Sequence, residues 1–325
     1  MTKSLRTIAP LLLAAFALPG LAVAAPGSDT TKVDLLSAVR AVSPGHPFYV
    51  GIRFRLRKGW HTYWKNPGDS GLPPRISWKL PPGFQAGPTE WPAPERFLVS
   101  DLMTYGYHDE LILPVQITPP ERIEGTSARI EGTVDWLECQ EACVPGTAPV
   151  MLTLAVSSNG DSRGAGAASI DAARARVPGP AAGWTMKAEA GPRAISLAFD
   201  PPRGVSPPRV AYLYVEQPLV VEHAPPQGLE RSGAGYRLTA TPALNAVRNP
   251  ERLTGVLLLE GGGLFGRRTA VQVDVPVFQG NPAPAPAQKP AAESTRAGLV
   301  AAAVALAVGV SLFLSRKKRR EPQVT

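Results

Sequence analysis

Cysteine is nearly absent from this chain: Cys139 and Cys143 are the only two in 325 residues. Histidine and methionine are almost as scarce, with four of each. No C-x-x-C, H-E-x-x-H or G-x-S-x-G occurs, so the usual redox, zinc-hydrolase and serine-hydrolase motifs are missing. The methionines (Met1, Met103, Met151 and Met186) form no thioether-rich tract for a soft metal. The histidines (His46, His61, His108 and His223) lack ligand spacing, and each reads as a surface or hydrogen-bonded side chain. Gly261-Gly262-Gly263-Leu264-Phe265-Gly266 fits G-x-G-x-x-G, but a strand pattern follows where a dinucleotide site needs a helix. A glycine-rich hairpin turn is the reading there.

Two apolar runs lie near the ends of the chain. Lys3 and Arg6 precede an apolar stretch at 8–18 and then Ala22-Val23-Ala24, which predicts a secretory signal over residues 1–24. Export places the cysteines where disulfide chemistry is possible. Residues 298–315 predict a single transmembrane helix, at the short end of what spans a bilayer. Arg316-Lys317-Lys318-Arg319-Arg320 opens a basic tail, 316–325, which the positive-inside rule keeps in the cytoplasm. The expectation is a bacterial inner-membrane protein with one pass and a periplasmic ectodomain.

This topology also accounts for the formal charge of +8. Removing the two charges of the signal and the net four of the tail leaves +2 for the ectodomain. Without a stripe of Lys and Arg on the body, nucleic acid is excluded as a partner.

The 36 prolines and 31 glycines punctuate short apolar runs, which predicts an all-β ectodomain of two domains. The first spans 30–158, with strands expected at 33–42, 48–56, 75–80, 110–118, 128–136 and 149–156. It holds five of the six tryptophans and should own an aromatic core. A connection follows at 159–180, with a short helix over 170–177. The second domain, 181–279, alternates: Ile195, Leu197 and Phe199 share a face, as do Tyr212 and Tyr214, and Val271, Val273, Val275 and Val277. That is the pattern of a half-buried antiparallel sheet in a sandwich. Pro282, Pro284, Pro286 and Pro290 make 280–297 a stiff Pro/Ala linker.

Three readings of Cys139-Gln140-Glu141-Ala142-Cys143 compete. A staple across five residues stabilises by only about 2 kcal/mol, against about 4.7 for a hundred-residue loop, so this is a weak place for one. Thiol–disulfide exchange needs a second thiol to resolve the mixed disulfide, and close spacing suits it. Glu138 and Glu141 flank the pair, and no Lys, Arg or His is adjacent in sequence, which disfavours a thiolate. Cu(I) binding is the third reading, because soft thiolates select that ion.

Several motifs then occur together and in order: Trp60-His61-Thr62-Tyr63-Trp64, Asn66-Pro67-Gly68-Asp69-Ser70-Gly71-Leu72-Pro73, Trp91-Pro92-Ala93-Pro94-Glu95-Arg96-Phe97, Tyr105-Gly106-Tyr107, and Asp135-Trp136-Leu137-Glu138-Cys139 through Cys143-Val144-Pro145-Gly146. They resemble the DsbD N-terminal-domain-like family over about 33–156, most closely the periplasmic part of its suppressor-of-copper-sensitivity B branch. The resemblance implies immunoglobulin-like β-sandwich domains and a component of a protein-disulfide reductase system. Its cysteine pair would take electrons from a membrane conduit and pass them to periplasmic thioredoxin-fold proteins, with no cofactor of its own. It implies that Cys143 forms the mixed disulfide and that Cys139 resolves it. It further implies a cap loop at 102–107, with Leu102, Met103, Tyr105 and Gly106, in which Met103 or Tyr105 shields the sulfurs. The family's multi-span conduit and thioredoxin-like domain have no counterpart in the pattern, so the conduit is expected on a separate chain. Three residues between the cysteines, fewer than in the best-known members, suit the copper-suppressor branch.

Overall fold

Alternation of inward apolar and outward polar side chains generates almost every element of the described residues. The computed structural model describes residues 31–99, 101–158, 162–205, 207–246, 250–261, 268–284 and 286. The expected signal, the transmembrane span, the basic tail, most of the linker and the glycine-rich turn at 262–267 lie outside the described residues. Among the described residues, no helix is long and apolar enough to cross a membrane.

The first eleven strands are β1 (Lys32–Ser37), β2 (Ala41–Val42), β3 (Phe48–Arg55), β4 (His61–Gly68), β5 (Arg75–Lys79), β6 (Gln85–Thr89), β7 (Glu95–Val99), β8 (Leu102–His108), β9 (Glu110–Thr118), β10 (Ser127–Cys139) and β11 (Cys143–Val156). Helix α1 (Ala167–Arg174) follows. Strands β12 (Thr185–Ala190), β13 (Ile195–Asp200), β14 (Pro208–Val215), β15 (Gly228–Ser232), β16 (Gly235–Ala240), β17 (Arg252–Gly261) and β18 (Arg268–Gln279) complete the set.

In the first domain a four-stranded sheet, β1-β3-β9-β6, faces a seven-stranded one, β2-β11-β10-β4-β8-β7 with β5 paired to β10. Phe48, Val50, Ile52 and Phe54 of β3 and Leu111, Leu113, Val115 and Ile117 of β9 point into the space between them. From the other sheet come Ala128, Ile130, Val134 and Trp136 of β10, every second residue, as the strand period requires. Helix α1 covers the outer face of the small sheet, where Ile170 reaches Gly51. The helix lies a few residues before the expected position.

Strand β4 bulges against β8 between Tyr63 and Gly68. A bulge re-aims side chains, and here Asn66 reaches out to donate to the Val215 carbonyl at 2.8 Å.

The second domain is one strand path, β14-β17-β18-β12-β13-β16-β15, joined by a parallel β12–β18 contact. Its two halves contribute to one core, with Leu197, Phe199 and Leu238 from one side and Leu213, Leu257 and Val271 from the other.

Tyr212 and Tyr214 do share a face, but it is not the face of that core. They pack into the first domain's cluster with Val256 and Leu258, while Ala211, Leu213 and Val215 face the second core. Strands β14 and β17 are thus buried on both faces. The contact is also polar: Tyr105 and Tyr212 hydroxyls meet at 2.7 Å, His223 Nδ1 lies 3.0 Å from Tyr105, and Lys65 pairs with Glu216 at 2.5 Å.

Candidate functional site

The two cysteines close the long β10–β11 hairpin. They are the last register pair of its ladder, Cys139 opposite Cys143, and they are joined as a disulfide. Both strands run further toward the turn than the sequence suggested. Pro145, which cannot donate to the ladder, interrupts the apolar pattern of β11 without breaking the strand. Along this part of β11 the edge away from β10 has no strand partner among the described residues, and such an edge tolerates proline.

The inward residues of β10 are even-numbered, so Glu138 turns inward and Cys139 turns to the outer face. Glu138 is 2 % exposed and accepts a hydrogen bond from the Thr31 hydroxyl, whereas Glu141 is exposed in the turn. The two acids expected to flank the sulfurs therefore part company.

An outer-face residue would normally be wet, yet Cys139 is only 2 % exposed while Cys143 is exposed. The cover comes from β4. The Tyr63 hydroxyl donates to Cys139 Sγ at 2.6 Å and lies 3.6 Å from Cys143 Sγ. Burial pushes the Tyr63 phenol above its ordinary value, so it remains a proton donor. Gly71 fixes its ring: a Cβ on Gly71 would come within 2.1 Å of the ring, and its φ of +114° suits only glycine. His61 stands directly opposite Cys139 in the β4–β10 register. Phe97 closes over it from β7, with ring centroids 4.6 Å apart, and His108 completes the cluster at 4.3 Å from Phe97 and 6.1 Å from His61.

Desolvation, and secondarily the charge of His108, lower the His61 pKa from 6.5 to about 4. The folded state therefore binds fewer protons than the unfolded state between these values, and stability falls as pH drops through that window. The oxidised protein should lose about 2 kcal/mol of unfolding free energy between pH 6.5 and 4 from this group. Urea unfolding should show a loss at least 1 kcal/mol smaller in His61→Asn; equal losses in both would refute the assignment.

Residues 32–155 match the family model described as thiol:disulfide interchange protein DsbD, N-terminal. Residues 32–155 are thus similar to the DsbD N-terminal domain. The N-terminal periplasmic domain of ScsB from Proteus mirabilis has a similar fold, with a TM-score of 0.55 at 18 % identity over 79 % of this chain and 97 % of that one. The DsbD N-terminal domain of Neisseria meningitidis in the reduced form is also found, at 18 % identity over 40 % of this chain and 90 % of that one, with a TM-score of 0.21. No curated protein matches the chain.

In this DsbD-type domain the expected cap segment takes a different form. Leu102–His108 is strand β8, not a loop. Tyr105 is fully buried on the opposite side of the sheet from Tyr63, against Tyr212, Tyr214 and His223. Gly106 lies opposite Tyr63, where a Cβ would meet the Thr62 carbonyl at 2.0 Å, so its glycine serves strand contact. Met103 is half-buried and anchors the loop carrying Gly71 by exchanging hydrogen bonds with Asp69 (2.8 and 2.9 Å), and Leu102 is exposed. The group that touches the sulfurs is Tyr63, with His61, Phe97 and His108 around it. Alternation in Trp60-His61-Thr62-Tyr63-Trp64 was the available signal, since it places His61 and Tyr63 on one face.

Beside the disulfide the DsbD-type domain has an open groove of about 690 Å³, floored by Trp136, Leu137, Pro145 and Gly146 and bordered by Leu72 and Arg75. Among the described residues, no group of three or more His, Cys, Asp or Glu is placed to hold a metal ion.

Proposed function

We propose that the protein is a membrane-anchored periplasmic thiol–disulfide interchange module, built of two immunoglobulin-like sandwiches. It relays electrons through Cys139 and Cys143 between a separate membrane conduit and thioredoxin-fold proteins. The observation that carries this reading is the unequal exposure of the two sulfurs, together with the Tyr63 hydroxyl on the buried one.

A donor thiolate attacks the exposed Cys143 Sγ and forms a mixed disulfide. The Cys139–Cys143 bond breaks, and Cys139 takes its electron pair as a thiolate. The Tyr63 hydroxyl already points at that sulfur, and a hydrogen bond strengthens as its acceptor becomes charged. A second donor thiol then releases the donor as its own disulfide and leaves both cysteines reduced. In the outward half, Cys143 attacks an acceptor disulfide and Cys139 resolves the product. Each cycle moves two electrons and leaves the pair oxidised again.

A relay needs a pair that opens readily. Equilibration of the full-length chain with thiol–disulfide buffers should give a reduction potential between about −120 and −270 mV, the range of exchanging proteins. A potential well below about −300 mV would mark an inert bridge and overturn the reading.

A further inference from the structure

Resolution by a buried cysteine requires somewhere for its proton to go. In the reduced protein Cys139 is a thiol, and it must ionise before it can attack a mixed disulfide on Cys143. At 2 % exposure, water has little access to it.

The neighbouring elements present few candidates to that sulfur. Tyr63 on β4 holds its proton, because burial raises its pKa. Glu138, next along β10, turns to the other face and is tied to Thr31. Phe97 on β7 carries no titratable group. His61 remains. It is the register partner of Cys139, and directly opposed residues of an antiparallel ladder share a face with Cβ atoms about 4.5–5.5 Å apart. Its ring edge also meets the Tyr63 ring, with centroids 5.3 Å apart. His108 on β8 is half-buried, with its ring centroid 6.1 Å from that of His61, and it is the neighbour whose charge acts on it.

We propose that His61 is the proton partner of Cys139: once the pair is reduced, the imidazole takes the thiol proton and the two form a thiolate–imidazolium pair. This rests on the exchange reading above. The Cys139 thiolate attacks Cys143 Sγ, the bond from Cys143 to the acceptor breaks, and the acceptor leaves as a thiolate with the electron pair. The proton stays on His61 until the departing thiolate or solvent removes it. With the disulfide closed there is no thiolate to compensate the charge, so burial keeps the imidazole neutral and able to accept. An imidazolium beside a cysteine favours its thiolate, and the thiolate favours the imidazolium in turn.

The full-length chain in detergent, labelled with ¹³C at histidine Cε1 and studied by NMR, tests this directly. His61 should titrate near pH 4 when oxidised and at least one unit higher after reduction by excess phosphine. An unchanged His61 titration on reduction overturns the proposal. A kinetic arm uses glutathione disulfide as the acceptor. Resolution of glutathionylated Cys143 should be about tenfold slower in His61→Asn at pH 7, with the difference closing above about pH 8.5, where a free thiol ionises unaided. Wild-type rates across the whole pH range in that variant also overturn the proposal. A wild-type pair that exchanges with no thiol at all would defeat the relay reading instead, and the titration of chemically reduced protein would still decide the role of His61.

Discussion

Cys139→Ser should accumulate a stable covalent adduct with a thioredoxin-fold acceptor on Cys143, whereas Cys143→Ser should abolish exchange. The asymmetry follows from access. An attacking sulfur must approach its target in line with the breaking S–S bond, and only Cys143 is open to solvent. Approach to Cys139 is obstructed by the Tyr63 hydroxyl at 2.6 Å, by His61 across the ladder and by Phe97 over His61. Removing Cys139 leaves the first covalent step intact and deletes the thiol that completes it, so the intermediate persists. Non-reducing gels of the two variants after incubation with oxidised acceptor read the outcome. An adduct in Cys143→Ser and none in Cys139→Ser would invert the roles assigned to the two sulfurs.

The second large effect is on stability. Trp64 is fully buried, with its ring centroid 6.1 Å from that of Tyr214 in the other domain. It follows Tyr63 on β4, at the start of the bulge that sends Asn66 to Val215. Trp64→Ala would remove a large ring from a cluster shared by both domains, and such truncations cost about 3–5 kcal/mol. For a chain of this size the melting temperature should fall by about 10 °C. Urea unfolding of Trp64→Ala beside the parent protein would measure it, and a loss under about 1 kcal/mol would show that the ring is not an essential part of the junction.

Strands with strong alternation were legible in advance. The run at 110–118 coincides with β9, and the wider runs around 48–56 and 75–80 contain β3 and β5. The hairpin that carries the chemistry was harder to read. Its ends looked like loop because Glu138, Pro145 and Gly146 break the apolar rhythm, and cross-strand hydrogen bonding sustains the ladder to Cys139 and Cys143 regardless. The cysteines themselves stood out by scarcity and resemblance. Their environment did not, because Cys139 meets His61 through register, and register between strands 78 residues apart is set by the whole sheet. No basic residue adjacent to the pair along the chain announces the imidazole across the ladder. Tyr212 and Tyr214 gave a correct periodicity with an incomplete meaning, since β14 has a buried partner on each side and alternation alone cannot say which face meets which.

Strands β14 and β17 also bear on how such a protein can evolve. The β14 tyrosines, with Val256 and Leu258 of β17, complete the burial of Tyr105 and Trp64, so these strands act as a wall for the first domain as well as a neighbour to it. A gene rearrangement that separated the two would expose an aromatic face and leave the Tyr105 hydroxyl without Tyr212 and His223. Heredity should therefore pass the two domains on together, and a solitary descendant would first have to replace those aromatics with residues that tolerate water.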